Sequence, residues 1–504
     1  MMRRLFPAFS KSGAAAPLLC ALVAVLFAAT AVAAAADLPP KELTDAEEAE
    51  LQAMALPLPQ PWFGDFDGMR ERRLVRILVP FSRTLFFIDR GRQLGIAHDM
   101  GAAFEEQLNR KHGSKTLKIR VAFIPVPNDR LLSDLQAGLG DIAAGELTIT
   151  PSRLEKVDFS APLASNVAEL VVAGPASPPL DGLDDLAGKT VHVRASSSYH
   201  EHLAALSGEF VARGLPPIDL QAAEEDLDDV DLMEMVGAGL LPLTVVDGPV
   251  ALFWEDIVPD LKVREDLAVH RGGDIAWAIR KDSPQLKAEV DAFAKTHRIG
   301  TAFGNIVLKR YLKEKTYLHR AQAPEAAARF ERLIDLFRQY AGSYSFDHLM
   351  ILAQGYQESQ LDQSRRSPRG AVGIMQLLPS TAADPAVGIK GVETSAERNI
   401  QAGVKYLALL RDTYLDDAAI DDKNRTLMSF AAYNAGPGNL RKFRRFAAEN
   451  GLDPNVWFYN VEVAAARIVG RETVQYVSNI YKYYVAYRLV RERELRRQQL
   501  RSVD

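Results

Sequence analysis

Residues 345–359 read SFDHLMILAQGYQES, and this stretch decides how the chain closes. Ser345 follows a helix-breaking Gly342 and is placed to cap a new helix, with Asp347 favourable in its first turn. Helical spacing puts Leu349, Leu352, Ala353 and Tyr356 on one face, and Ile351, Gln354, Gly355 and Glu358 on the other. A helix apolar on both sides is buried, so the carboxyl of Glu358 falls at the edge of a core. Partial burial destabilises a carboxylate and raises its pKa, which suits a general acid. Ala327, Phe330, Leu333, Ile334 and Phe337 also recur at helical spacing, and the pattern stays helical from about Lys315 onward.

Further motifs follow. After Tyr356-Gln357-Glu358-Ser359 stand Ser367-Pro-Arg-Gly-Ala-Val-Gly-Ile-Met-Gln-Leu-Leu-Pro379, then Ala432-Tyr-Asn-Ala-Gly436, then Glu472-Thr-Val-Gln-Tyr-Val477. In this order and spacing, over about residues 325–490, the four motifs resemble the soluble lytic transglycosylase domain, an all-α lysozyme-like fold acting on peptidoglycan strands. The resemblance implies that Glu358 is the sole catalytic acid and base and that Ser359 orients the sugar or the carboxyl. It implies that Met375 and Gln376 line the glycan cleft with Tyr433, that Asn434 contacts the N-acetyl group, and that Tyr476 hydrogen-bonds Glu358. Gly373 before them is expected to let the backbone approach the ligand. From the residues alone, Met375 and Tyr433 fit a core equally well.

Most glycosidases use two carboxylates. Asp362, Glu462 and Glu472 are the other candidates here, and no motif pairs one of them with Glu358. One acid suffices if the substrate supplies its own nucleophile. The resemblance implies this route: the acetamido group of N-acetylmuramic acid stabilises the cation and its C6 hydroxyl closes a 1,6-anhydro ring. No metal and no cofactor is required.

Upstream the pattern differs. Val75, Ile77 and Val79 alternate as in a strand, as do Leu117, Ile119, Val121 and Phe123, and Met100, Ala103, Phe104 and Leu108 mark a helix between them. Strand-like runs recur at Asp141 to Ala144, Ala168 to Ala173, Thr190 to Arg194, Leu243 to Val246 and Ile275 to Ile279. Strands alternating with helices predict an α/β module with mostly parallel sheets. Asp141-Ile-Ala-Ala-Gly145, Thr148-Ile-Thr-Pro-Ser-Arg153 and Val157-Asp-Phe-Ser160 resemble the solute-binding proteins of amino-acid transporters, over about residues 70–300. The resemblance implies a two-lobed periplasmic-binding-protein-like domain, joined by two crossing strands, with a ligand in the cleft. It implies that Thr148, Arg153 and Ser198 hold a ligand carboxylate and that Asp247 pairs with its amino group. A guanidinium fork matches a carboxylate bidentately. The alternative is that Arg153 pairs with Asp158 within the fold. Gly95-Ile96-Ala97 and the loop Phe81 to Phe87 depart from the family pattern.

Arg3, Arg4 and Lys11 precede the uncharged run Leu18 to Ala34, and Ala31-Val32-Ala33 offers the small residues of a cleavage site. This reads as an export signal, with a retained membrane anchor as the alternative. Cys20, the single cysteine, lies inside it, which excludes a disulfide framework and any cysteine-rich zinc site. With 60 Lys and Arg against 65 Asp and Glu, the formal charge of −5 excludes a global nucleic-acid-binding surface. The expected organisation is signal 1–36, linker 37–70, solute-binding-like domain 71–300, connector 301–324, lytic transglycosylase domain 325–490 and basic tail 491–504. The tail reads as a solvated helix end or as a peripheral membrane contact. The chain is thus expected to be an exported, periplasmic, multi-domain enzyme. Its expected partners are peptidoglycan strands and an amino-acid or muropeptide ligand, without nucleic acid. A receptor whose helical domain only binds the wall is the competing reading.

Overall fold

The computed structural model describes residues 43, 44, 47 and 61–501, except 83, 90, 114–117 and 312–323. The expected signal at 1–36, most of the linker and much of the connector lie outside the described residues.

The first module carries strands β1 (Leu74–Val79), β2 (Phe87–Asp89), β3 (Arg92–Leu94), β4 (Arg120–Pro125), β5 (Ile142–Thr148), β6 (Asp158–Phe159), β7 (Ala164–Ala173), β8 (Thr190–Arg194), β9 (Asp219–Ala223), β10 (Leu243–Asp247) and β11 (Lys262–Ile279). One sheet runs β10-β7-β11-β5-β1-β4, with β6 against β11. β1 sits between β4 and β5, parallel to both, and Val75, Ile77, Leu78 and Val79 are all buried, as a strand covered on both faces requires. The expectation of mostly parallel sheets is corrected at β7 and β11. They run antiparallel to each other, and also to β10 and β5 respectively, because they pass between the lobes instead of returning through a helix. β11 uses more residues than β7 over the same length, and its register slips at Arg264/Ala268, Ala268/His270, His270/Gly273 and Gly273/Ile275.

The helices of this module include α1 (Phe66–Arg72), α2 (Ile96–His112), α3 (Ser198–Ala212), α4 (Asp229–Gly237), α5 (Pro284–His297) and α6 (Ala302–Tyr311). Phe104 of α2 meets Trp277 of β11 and Phe293 of α5 edge-on, at 5.9 and 5.3 Å between ring centres. The module is longer than 71–300. Trp62 donates its backbone N–H to Gly138 at 2.9 Å and lies 3.5 Å under the Arg72 guanidinium, while Phe66 and Met69 are buried. At the other end, Arg310 of α6 pairs with Asp99 of α2. Residues 61–70 and the start of α6 therefore pack with this fold, since Phe66, Met69 and Val307 are buried in its core.

The helical module comprises α7 (Pro324–Ser343), α8 (His348–Ser359), α9 (Ala396–Tyr414), α10 (Asp422–Ala435), α11 (Pro437–Glu449), α12 (Glu462–Ile468) and α13 (Arg471–Arg501), with a short helix at Pro379–Ala383. Its centre is α8, buried at every residue from Leu349 to Tyr356. The cap differs from expectation: Asp347 accepts the N–H of Leu349 at 2.8 Å, and Ser345 sits in a left-handed turn at φ 57°. A carboxylate next to the first turn satisfies the free N–H groups better than a hydroxyl three residues before the helix. Phe337 of α7 and Tyr483 of α13 enclose α8 from two sides, with Tyr356 edge-on to Tyr483 at 4.7 Å. The tail is no separate element, since α13 continues unbroken to Arg501. No helix among the described residues is long and apolar enough to cross a membrane.

Candidate active site

Glu358 lies at the last turn of α8 with an edge at the surface. Tyr476 of α13 donates its hydroxyl to Oε1 of Glu358 at 2.6 Å, and Gln354, one turn back on α8, donates Nε2 to the Tyr476 oxygen at 3.2 Å. Burial pushes the Glu358 carboxyl up to about 7, partly opposed by the Tyr476 hydrogen bond. Burial and the neighbouring Glu358 push the phenols of Tyr476 and Tyr433 well above their ordinary value, so both remain protonated donors. A carboxyl poised near neutrality beside a fixed donor is equipped to give up a proton and take one back.

Residues 79–307 match the family described as bacterial extracellular solute-binding proteins, family 3, and residues 335–453 match the transglycosylase SLT domain. Over 86% of its length the chain is 28% identical to the membrane-bound lytic murein transglycosylase F of Desulfosudis oleivorans, 95% of which is covered. It is 27% identical to the protein of that name from Pseudomonas fluorescens, over 83% of this chain and 85% of the relative. The chain is a lytic transglycosylase, similar over most of its length to these F proteins. Among solved structures, an ancestral arginine-binding protein bound to arginine is 20% identical, with a TM-score of 0.38, covering 48% of this chain and 98% of that one.

In this enzyme the loop after α8 is held by internal hydrogen bonds. Ser359 is buried and donates its hydroxyl to the carbonyls of Ile374 at 2.9 Å and Gly355 at 3.2 Å, so it ties the loop to α8. Met375 is fully buried with its side chain in the core; its N–H donates to Asn399 at 2.7 Å and its carbonyl accepts the Tyr433 hydroxyl at 2.8 Å. Tyr433 thus pins the loop. Gln376, half-buried, folds Nε2 back onto Gly373 O at 2.8 Å. The need for glycine at 373 is also internal: at φ 76°, a Cβ there would fall 2.5 Å from Asn399 Nδ2. Ser359, the Met375 backbone and Gly373 thus each support the loop beside Glu358. Asn434 is exposed and accepts the Thr473 hydroxyl at 2.8 Å, and its Nδ2 has no partner among the described residues.

No second carboxylate joins Glu358 among the described residues. Asp362 accepts the N–H and hydroxyl of Ser364, which hold it below its ordinary range. Glu462 is buried and accepts the N–H of Tyr459, and it faces a cavity between the modules.

The solute-binding-like cleft brings Arg153 and Ser198 to one cavity, along with Glu146, Arg194, Asp228 and Asp229. Their donors are engaged internally. Arg153 donates to Thr148 O and Ser196 O at 2.9 Å each and lies 3.4 Å from Glu201, not on Asp158; Ser198 donates to Glu169 at 2.8 Å. Asp247 is buried with Oδ1 unpartnered; burial first, then Glu146, Glu169 and Asp229, push its carboxyl well up. The carboxylate clamp implied by the sequence is thus closed on the protein's own acceptors in this structure.

The two modules meet along α13. Lys482, 1% exposed, is 2.7 Å from Glu234 and 2.7 Å from Asp231 of α4. Arg488 pairs with Glu224 at 2.6 Å, and Lys423 of α10 with Asp226 at 2.8 Å. At its start α13 contacts the other lobe, with the Arg471 N–H on Asp89 and its guanidinium over Phe87. Sequence reading missed Gln354, Lys482 and Glu146. Each had a local signal, a polar side chain among apolar or aromatic neighbours: Gln354 between Ala353 and Gly355, Lys482 between Tyr481 and Tyr483, and Glu146 between Gly145 and Leu147.

Proposed function

We propose that the helical module cleaves the β-1,4 bond between N-acetylmuramic acid and N-acetylglucosamine of peptidoglycan, leaving 1,6-anhydro ends. The observation carrying this reading is the half-buried Glu358, held by Tyr476 at 2.6 Å with no carboxylate partner among the described residues. Protonated Glu358 gives its proton to the glycosidic oxygen as the C1–O bond breaks, and the substrate's acetamido oxygen stabilises the cation. The C6 hydroxyl then attacks C1 and passes its proton to the Glu358 carboxylate, which restores the acid. Asn434, with its free amide N–H groups beside Thr473, is suited to hold the acetamido group. Mass spectrometry of digested sacculi tests this directly: anhydro ends support it, whereas reducing ends or no cleavage refute it. The site of action would lie outside the cytoplasmic membrane, reached by the signal at 1–36.

Tyr476→Phe is expected to slow turnover by about tenfold, the effect of losing one hydrogen bond to a charged group. That bond lowers the Glu358 pKa, so its loss raises it and moves the basic limb of the pH–rate profile upward from about 7. An unchanged rate and profile would reduce Tyr476 to packing.

A second reading concerns the cleft. We propose that it binds a small ligand with amino and carboxyl groups, an amino acid or a wall peptide, and that occupancy modulates the lytic module. α13 supports this: it contacts both lobes and carries Tyr476 between those contacts. Binding would require Arg153 and Ser198 to exchange Ser196 O and Glu169 for the ligand carboxylate. Calorimetry with the full chain decides it, since Arg153→Ala binding every candidate as tightly as the native protein would remove the assignment.

A further inference from the structure

Gln354 is the one amide between Leu349 and Tyr356, a run otherwise made of apolar residues, glycine and tyrosine, and it is completely buried. Its Nε2 donates to the Tyr476 oxygen at 3.2 Å, while its Oε1 is buried with no partner. An unpartnered buried carbonyl raises the question of what keeps the amide in this orientation. Turned over, Oε1 would accept the Tyr476 hydroxyl, but a buried NH₂ would be orphaned, the less tolerated defect. The turned amide would also draw the Tyr476 proton away from Glu358.

We infer that Gln354 is a positioning residue, whose N–H fixes the direction of the Tyr476 hydroxyl so that Oε1 of Glu358 always accepts and the transferable proton resides on Oε2. This rests on Glu358 being the acid. Oε2 has no partner among the described residues, so a proton held there is available to a substrate oxygen. Without the Gln354 donor, the Glu358 proton could settle on Oε1 and point at Tyr476, where it is useless for protonating a leaving group. No bond changes in this arrangement; the amide selects one of two hydrogen-bond directions through Tyr476. The other groups near Glu358 do not take this role. Tyr433 of α10 donates to Met375 O, Arg329 of α7 is turned to Gln360 O, and Asp362 accepts from Ser364.

The experiment is a double-mutant cycle in the full chain, with pH–rate profiles on sacculi. Gln354→Met, similar in volume and without a donor, should lower kcat roughly threefold to tenfold with KM unchanged and move the basic limb upward. In a Tyr476→Phe background the same substitution should do nothing further, because Gln354 acts through Tyr476. Gln354→Glu, which can accept the Tyr476 proton, should give a larger upward shift, and ¹³C titration of the Glu358 carboxyl reads the same pKa without turnover. A wild-type profile for Gln354→Met, or an equal loss in both backgrounds, would overturn the inference. Full activity in Glu358→Gln would instead remove the acid assignment beneath it.

Discussion

Glu358→Gln is expected to reduce muropeptide release by about 10²–10⁴-fold, the range carried by a general acid–base group. The amide keeps the shape of the protonated carboxyl and can still accept from Tyr476, but it has no transferable proton. The same substitution should leave the fold intact and stabilise it at alkaline pH. The folded-state pKa of Glu358 is raised from 4.5 to about 7. Its favourable contribution is therefore fully present below 4.5 and is lost as pH rises through about 7. Glutamine does not ionise, so the variant should melt at the wild-type temperature near pH 4 and above it at pH 8. Glu462, pushed up to about 8 by burial, titrates in both proteins and cancels from the comparison. Residual activity near wild type would sink the assignment, and equal melting at pH 8 would show that Glu358 is not buried enough to be an acid at neutrality.

Among the ion pairs between the modules, Lys482→Met should be the most destabilising change, at about 3–5 kcal/mol. Lys482 and Glu234 are each 1% exposed, and removing the cation leaves two buried carboxylates facing each other. Adding Glu234→Gln should return part of the loss, since removing both charges avoids much of the desolvation cost. Lys423→Met, at the half-exposed pair with Asp226, should lose about 1 kcal/mol or less. Denaturant unfolding of the variants, with activity assayed in parallel, checks the ordering. Equal costs at Lys482 and Lys423 would mean that the buried triad is solvated in solution. Because Lys482 follows Tyr476 on the same helix, a shifted α13 should also slow turnover.

The contact between Glu358 and Tyr476 joins two motifs 118 residues apart, and it was legible because each motif fixes its own local geometry. What those motifs did not separate is facing a ligand from supporting a loop. A buried methionine and a cleft methionine share one sequence pattern, so Met375 was open until Asn399 and Tyr433 were seen to hold its backbone. The helices and strands of both modules were legible from periodicity, but strand direction was not: alternation reports faces, and β7 and β11 differ from β1 only in how the chain returns. Arg153 was visible as a fork, yet its acceptors, Thr148 O and Ser196 O, are backbone atoms that every sequence has. The ion pairs of α13 were invisible for another reason. Lys482 and Glu234 stand 248 residues apart, and neither has a neighbour in sequence that announces the other.

The slipping register of β11 has a mechanical consequence. A ladder in one register transmits rotation rigidly, because any change in lobe angle must break several bonds together. β11 instead carries surplus residues against β7, distributed over several interruptions. Bulged residues are slack: the strand can take them up or release them with little loss of pairing elsewhere. The joint between the lobes is therefore compliant by construction, and the stiffness of the assembly resides where α13 grips Asp89 on one side and Glu234 on the other.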